Sequence, residues 1–223
     1  KAALEMARVQ NGMQVLEVAT GSGEMFRRLV KSNGAGRTYG IDLSPNMAAR
    51  THKHVRQDFP AAQSHCHAVD ARYLPFREDS FDAVFCCGLF YHLDRPKRFL
   101  DLMSTVTRKL LILQTHFATA EANPKFGLSE LTDNEGLQGR WYTEFGSDEA
   151  FHARENARWA SWDNYRSFWL KREYLLQGLQ TAGFDLVAEQ FDGLGTNIAA
   201  DMQTGFYKTD DRGTFIGVKT KPV

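Results

Sequence analysis

Short apolar runs recur along the first half of the chain, and between them lie segments whose apolar positions repeat at helical spacing. The runs Gln14 to Thr20, Arg37 to Leu43, Ser64 to Asp70, Phe81 to Leu89 and Lys109 to Phe117 read as strands. Glu24 to Lys31, Pro45 to Gln57 and Pro96 to Arg108 read as helices. Such alternation predicts an α/β domain in which crossover helices link parallel strands. Ser44 followed by Pro45 marks a helix start, with serine as N-cap and proline in the first turn. The alternation stops at residue 118 and resumes at 172, where "REYLLQGLQTAGF" predicts an amphipathic helix ending at Gly183, and "DLVAEQF" and "GTFIGVKT" predict two more strands. The expectation is a seven-stranded, mostly parallel sheet built from residues 1–117 and 172–223. Residues 118–171, which hold all four tryptophans, are expected to form an ordered cap, because a structureless loop of that length is unusual in a compact domain.

Composition narrows the partners. The 27 basic and 27 acidic side chains cancel, so no global field favours nucleic acid or an anionic membrane. The longest apolar stretch, Ala83 to Tyr91, falls short of the ~20 residues that cross a bilayer, and no signal peptide is visible, so a cytoplasmic protein is expected. The chain starts at Lys1, on a helix-like segment, without a methionine, and nothing follows from it about residues upstream. Three cysteines, two of them adjacent, make neither a disulfide framework nor a zinc spacing. His52, His54, His65 and His67 form two His-x-His pairs, but no third ligand with suitable spacing accompanies them, so no metal is expected.

The chemistry starts in "LEVATGSGEMF", residues 16–26. A strand that runs through Gly-x-Gly into a helix presents backbone N–H groups and a positive helix end to a ligand. A pyrophosphate site of the dinucleotide kind needs a third glycine, and Phe26 stands at that position. Asp42 closes the second strand and Asp70 the third, where carboxylates accept hydrogen bonds from ribose hydroxyls and other polar edges. Three neighbouring strand ends carrying Gly-x-Gly, Asp and Asp describe a nucleoside crevice without a phosphate clamp.

In order, "VLEVATGSGEMF", "YGIDLSPNM", "AVDARYLPFREDSFDAVFCCGLFYHL" and "KLLILQTHF" resemble the motifs of class I S-adenosylmethionine-dependent methyltransferases, whose core is a Rossmann-like fold. The resemblance covers residues 12–117, and Arg172 to Thr220 resembles the C-terminal part of that fold. One departure is Ala19, where the family carries a glycine. The resemblance implies S-adenosylmethionine as cofactor and S-adenosylhomocysteine as product. It implies that Glu17 orients the loop or meets the amino-acid end of the cofactor, and that Ala19, Thr20, Gly21, Ser22 and Gly23 pass under its methionine part. Asp42 would bind the ribose, Leu43 and Met47 would flank the adenine, and Asp70 with the backbone of Ala71 would read its amino edge. Cys87, Gly88 and the residues to Tyr91 would face the sulfonium and the acceptor.

On the acceptor side, His116 and then His92 are the candidates for a general base, with Tyr91 as a positioning group; an oriented structural histidine is the alternative for each. Cys86 and Cys87 read as core residues rather than nucleophiles. In the cap, "RENARWASWDNYRSFW" places Trp159, Trp162, Tyr165 and Trp169 near one helical stripe, and "EGLQGRWYTEF" adds Trp141 and Tyr142. These rings either pack a cap helix on the domain or line a pocket, with Arg140 and Arg158 available for an anionic group. A looser resemblance of the second half to bacterial methyltransferases of glycan and small-molecule biosynthesis implies a small-molecule or saccharide acceptor, and transfer is expected at an oxygen or nitrogen nucleophile. The alternatives are an RNA methyltransferase, a nicotinamide oxidoreductase and a non-catalytic cofactor-binding protein.

Overall fold

The computed structural model describes residues 11–145, 161, 164–190 and 211–221. The helix-like start and the candidates Arg158, Trp159 and Trp162 lie outside the described residues. Seven strands, β1 (Gln14–Val18), β2 (Arg37–Asp42), β3 (Gln63–Ala68), β4 (Phe81–Cys87), β5 (Thr107–His116), β9 (Leu186–Gln190) and β10 (Arg212–Val218), form one sheet in the order β3-β2-β1-β4-β5-β10-β9. All pairings from β3 to β5 are parallel, and β10 runs antiparallel to both of its neighbours. The chain turns from one direction of travel across the sheet to the other between β1 and β4. Ligands of open α/β sheets bind outside the carboxyl ends of the strands at that reversal. In register, Val18 faces Ile41 on one side and Cys86 on the other, which levels the ends of β1, β2 and β4.

The helices are α1 (Glu24–Ser32), α2 (Pro45–Asp58), α3 (Pro96–Val106) and α4 (Arg172–Thr181). One face of the sheet, including Leu16, Val84, Leu113 and Phe215, packs with Phe99 and Met103 of α3 and Leu175 and Leu179 of α4. On α2 the Ser44 hydroxyl accepts from the Met47 N–H, with Pro45 in the first turn. Phe26 fills space that β2 leaves open: a Cβ on Gly40 would come within 2.9 Å of the Phe26 ring. The ring is fully buried with Val30 and Val55, so bulk here replaces the close helix–strand approach that a third glycine would allow.

The stretch expected to form an ordered cap holds, in its described part, a second sheet. Strands β6 (Thr132–Asn134), β7 (Leu137–Thr143) and β8 (Arg166–Leu170) pair antiparallel in the order β6-β7-β8. Tyr165 and Trp169 therefore do not share a helical stripe; Trp169 sits within β8. Aromatic residues fit a pleated sheet, and pairing across it sets Trp141 opposite Phe168 and Tyr142 opposite Ser167. Arg166 covers the Trp141 ring at 4.1 Å. Leu137, Phe168 and Leu170 join the main core, which docks the second sheet on the face carrying α3 and α4.

Glu135 and Gly136 link β6 to β7, both with positive φ (54° and 79°), the backbone of a two-residue hairpin turn. A left-handed glutamate is costly, and its side chain shows what it does there: Glu135 Oε2 accepts from the N–H groups of Lys97 (2.9 Å) and Arg98 (3.3 Å) at the start of α3. Arg95, at the N-cap of that helix, provides no side-chain cap. A carboxylate at a helix N-terminus satisfies orphan donors and the helix dipole together. Glu135→Ala is expected to destabilise the protein by about 1–2 kcal/mol, read from the midpoint of urea unfolding; a change near zero would mean that the cap is supplied otherwise. Among the described residues no helix is long and apolar enough to cross a membrane.

Candidate active site

The loop after β1 is held in a sequence of left-handed residues: φ is 63° at Ala19, 50° at Gly21 and 81° at Gly23. Gly23 caps α1 and lies so close to α2 that a Cβ would meet Thr51 Oγ1 at 2.7 Å. The Thr51 hydroxyl donates to the Gly21 carbonyl at 3.3 Å, and the Thr20 N–H donates to the Ile41 carbonyl at 3.0 Å. Ser22 is exposed on the loop. Ala19 keeps the backbone shape that a glycine would take freely, at a cost from its Cβ of about 1–2 kcal/mol. Ala19→Gly is therefore expected to stabilise the fold by about 0.5–1 kcal/mol, after the greater chain entropy of glycine is subtracted. Thermal unfolding checks this; a lower melting temperature would contradict it.

Asp42 ties this loop to the next one. Its Oδ2 accepts from the Gly21 N–H at 2.7 Å and its Oδ1 from the Ser44 N–H at 2.9 Å. Beside it, Leu43 and Met47 are 40% and 39% exposed, large apolar side chains next to carboxylates. Leu43 lines a crevice with Ala19, Asp42, Asp70, Ala71 and His92. Asp70 is gripped by Arg72, whose Nη2 and Nε donate to it at 2.7 and 3.0 Å. That guanidinium holds the Asp70 carboxyl below the usual carboxylate range, so it enters the crevice as an acceptor.

Glu17 is the unusual member. It is buried on β1, and its Oε2 has no hydrogen-bond partner among the described residues. Burial, and then the nearby Asp42 charge, pushes its carboxyl well above the usual range. A buried polar atom left unpaired is costly in any fold, and here it stands two residues before the glycine loop.

On the other side of β1, Gly88 follows β4 with φ 95° and donates its N–H to the Gln114 carbonyl at 3.1 Å. Burial, and then Glu17, pushes the neighbouring Cys87 thiol up to about 12, which removes it as a nucleophile at neutral pH. Phe90–His92 forms a short 3₁₀ turn. The Tyr91 ring meets His116 edge-on at 4.7 Å, and His116 stacks on Trp169 at 4.8 Å, with Tyr142 stacked on the same indole at 5.1 Å. The indole N–H of Trp169 donates to the Tyr91 carbonyl at 2.9 Å. Burial raises the Tyr91 hydroxyl above its ordinary value, so it stays protonated. His116 thus stands in a wall of rings. His92, by contrast, sets Nδ1 2.8 Å from Oε1 of Glu144, whose side chain is almost wholly buried.

The cap candidates divide. Tyr142 belongs to the aromatic wall, and Trp141 is half-buried between Phe168 and Arg166. Arg140 does not offer an anion site: it is buried, and its guanidinium donates to the carbonyls of Thr119, Ala120 and Ser129 at 3.2, 2.7 and 2.6 Å. Its charge alone carried no hint that three carbonyls would consume it. Glu144 and Asn164 escaped the sequence reading; the faint signal for Glu144 is an acid ending the alternating run "LQGRWYTE". His65 and His67 stack on each other at 6.3 Å on the edge strand, and among the described residues no group of three His, Cys, Asp or Glu is placed to hold a metal.

Residues 15–109 match the family described as methyltransferase domain. The matched residues run from β1 into β5. Over 120 residues the chain is 29% identical to the 2-phytyl-1,4-naphtoquinone methyltransferase of Trichormus variabilis, a match covering 51% of this chain and 52% of that protein. Over 110 residues it is 31% identical to the tRNA U34 carboxymethyltransferase of Idiomarina loihiensis, covering 47% of this chain and 33% of that one. The matches thus span about half or less of these relatives. Among solved structures, the N-terminal domain of EvdMO1 with SAH bound superposes with a TM-score of 0.69 at 19% identity, covering 98% of this chain and 79% of that one. At that identity the likeness is one of fold, and it extends past residues 15–109 into the second half of the chain.

Proposed function

We propose that the protein is an S-adenosylmethionine-dependent methyltransferase acting on a small molecule or saccharide, at an oxygen or nitrogen nucleophile. The observation that carries this reading is the buried Glu17 oxygen without a partner among the described residues, at the entrance to a left-handed loop tied to Asp42. A dinucleotide would ask for the third glycine that Phe26 displaces. An amino acid linked to a nucleoside asks for what is present: an acceptor for an ammonium, backbone N–H groups, a ribose acceptor and an apolar ledge. Bound there, S-adenosylmethionine supplies an electrophilic methyl group on a sulfonium sulfur.

The chain's own residues would bind and align. Glu17 would accept from the cofactor's ammonium, and the Ala19–Gly23 backbone would line its methionine part. Asp42 would accept from the ribose hydroxyls with the lone pairs that Gly21 and Ser44 leave. Leu43 and Met47 would cover the adenine, whose amino group would donate to Asp70 beside the Ala71 backbone. Cys87 and Gly88 would line the way to the acceptor side, where the stacked rings of His116, Trp169 and Tyr142, with Tyr91 edge-on to them, offer an aromatic wall. Alignment of this kind is the main contribution an enzyme makes when the leaving group is already activated. The quinone methyltransferase similarity supports a small acceptor, and the zero net charge weighs against RNA. The test is incubation with methyl-labelled S-adenosylmethionine and a fractionated metabolite extract. Label is expected in a small-molecule fraction and to be suppressed by excess S-adenosylhomocysteine; label in no fraction would contradict enzymatic transfer, and label in RNA alone would contradict the acceptor class.

A further inference from the structure

The second sheet delivers an acid to a histidine of the core. Glu144 follows β7, fifty-two residues from His92 in sequence. Its carboxyl collects three partners: His92 Nδ1 at 2.8 Å and the Ser167 hydroxyl at 2.7 Å on Oε1, and the Ser161 N–H at 3.0 Å on Oε2. Asn164 donates to the His92 carbonyl at 2.9 Å, so the same region fixes the histidine by its backbone as well. Ser161 and Asn164 line the crevice with His92 and Ala19. The Nε2 atom of His92 makes no hydrogen bond among the described residues. His116 stands instead against the faces and edges of aromatic rings.

We propose that Glu144 is a positioning residue that keeps the His92 proton on Nδ1, leaving Nε2 as the proton acceptor for a methyl acceptor whose nucleophilic atom carries hydrogen. The proposal rests on the methyltransferase reading for its chemistry and on the Glu144 geometry for its assignment. A carboxyl that already accepts from a serine hydroxyl and an amide takes the donor role away from itself and gives it to Nδ1. Nε2 then holds a lone pair. As the bond from the acceptor's oxygen or nitrogen to the methyl carbon forms, its proton passes to Nε2, and the electron pair of the carbon–sulfur bond stays on sulfur. The imidazolium so formed is held by Glu144. This makes the inserted sheet part of the catalytic apparatus, and it places His92 ahead of His116.

The test is a two-bond proton–nitrogen correlation spectrum of protein labelled at the histidine ring nitrogens, taken at alkaline pH, with His92→Asn to assign the signal. Wild type is expected to show His92 with Nδ1 protonated and Nε2 bare. Glu144→Ala is expected to shift it towards the Nε2–H form that free histidine prefers, while S-adenosylhomocysteine affinity changes less than about threefold. In the labelled-methyl assay, His92→Asn is expected to lower the rate on the order of 10²-fold. A wild-type His92 with its proton on Nε2 overturns the proposal, as does an Nδ1 proton that Glu144→Ala leaves in place. The wild-type spectrum decides alone if that variant does not fold. Loss of S-adenosylhomocysteine binding by wild type itself would overturn the cofactor reading, and with it the role of His92 as acceptor, whichever nitrogen carries the proton.

Discussion

Asp42→Ala is expected to weaken S-adenosylhomocysteine binding by at least about 10²-fold, the larger of the binding effects foreseen. The carboxylate holds two loops at once, taking the Gly21 N–H at 2.7 Å and the Ser44 N–H at 2.9 Å, and on the proposed reading it also takes the ribose hydroxyls. Hydrogen bonds to a charged group contribute about 1.5–3 kcal/mol each. Losing the ribose pair alone therefore removes roughly 3 kcal/mol, or ~10²-fold. Release of the glycine loop from its anchor adds to this, because binding must then also order the loop. Asp42→Asn, which keeps one acceptor oxygen, is expected to lose about tenfold. Isothermal titration measures both, with far-ultraviolet circular dichroism to verify the fold. A loss below about fivefold in Asp42→Ala would mean that the ribose lies elsewhere.

Glu17→Gln is expected to raise the stability of the ligand-free protein at pH 7.5 and to weaken cofactor binding at least tenfold. The carboxyl is buried without a partner for Oε2 among the described residues, and its folded-state pKa is raised well above 4.5. Between the unfolded and the folded pKa the native state holds a proton that the unfolded chain has released. Stability from this group is fully present below its unfolded pKa and declines as pH rises from there towards the folded pKa. At neutral pH the wild-type protein therefore bears a cost that the neutral amide lacks, ~1.4 kcal/mol for every tenfold difference in proton affinity between the folded and unfolded states. A cation arriving at Glu17 would reverse that preference by stabilising the carboxylate, which the amide cannot supply. Thermal scans from pH 5 to pH 8 should show stability falling with pH more steeply in wild type than in Glu17→Gln. Equal slopes would contradict the raised pKa, and unchanged affinity would contradict the ammonium contact.

The main sheet was legible because its signal is local. The first four strands run into a glycine or an acid, and the order of those ends placed Gly21, Gly23, Asp42 and Asp70 along one edge from the chain alone. Phe26 was legible as a missing glycine; that it fills the space over Gly40 was not, since the two residues meet only through the packing of α1 on β2. Tyr165 and Trp169 were misread as one helical stripe because helical spacing of aromatic rings is also satisfied by accident in strands, and only the pairing of Trp169 with Arg140 decides between them. Arg140 and Glu144 illustrate the same limit from opposite sides. An arginine that looked free for a ligand is consumed by three carbonyls, and an acid without a motif becomes the partner of His92 across fifty-two residues.

One ligand in one crevice is the central claim, and parallel isothermal titration of the wild-type protein with S-adenosylhomocysteine and with NAD tests it most directly. Saturable binding of S-adenosylhomocysteine at a single site, with no measurable heat from NAD, is the predicted result. Binding of NAD with none of S-adenosylhomocysteine would contradict it.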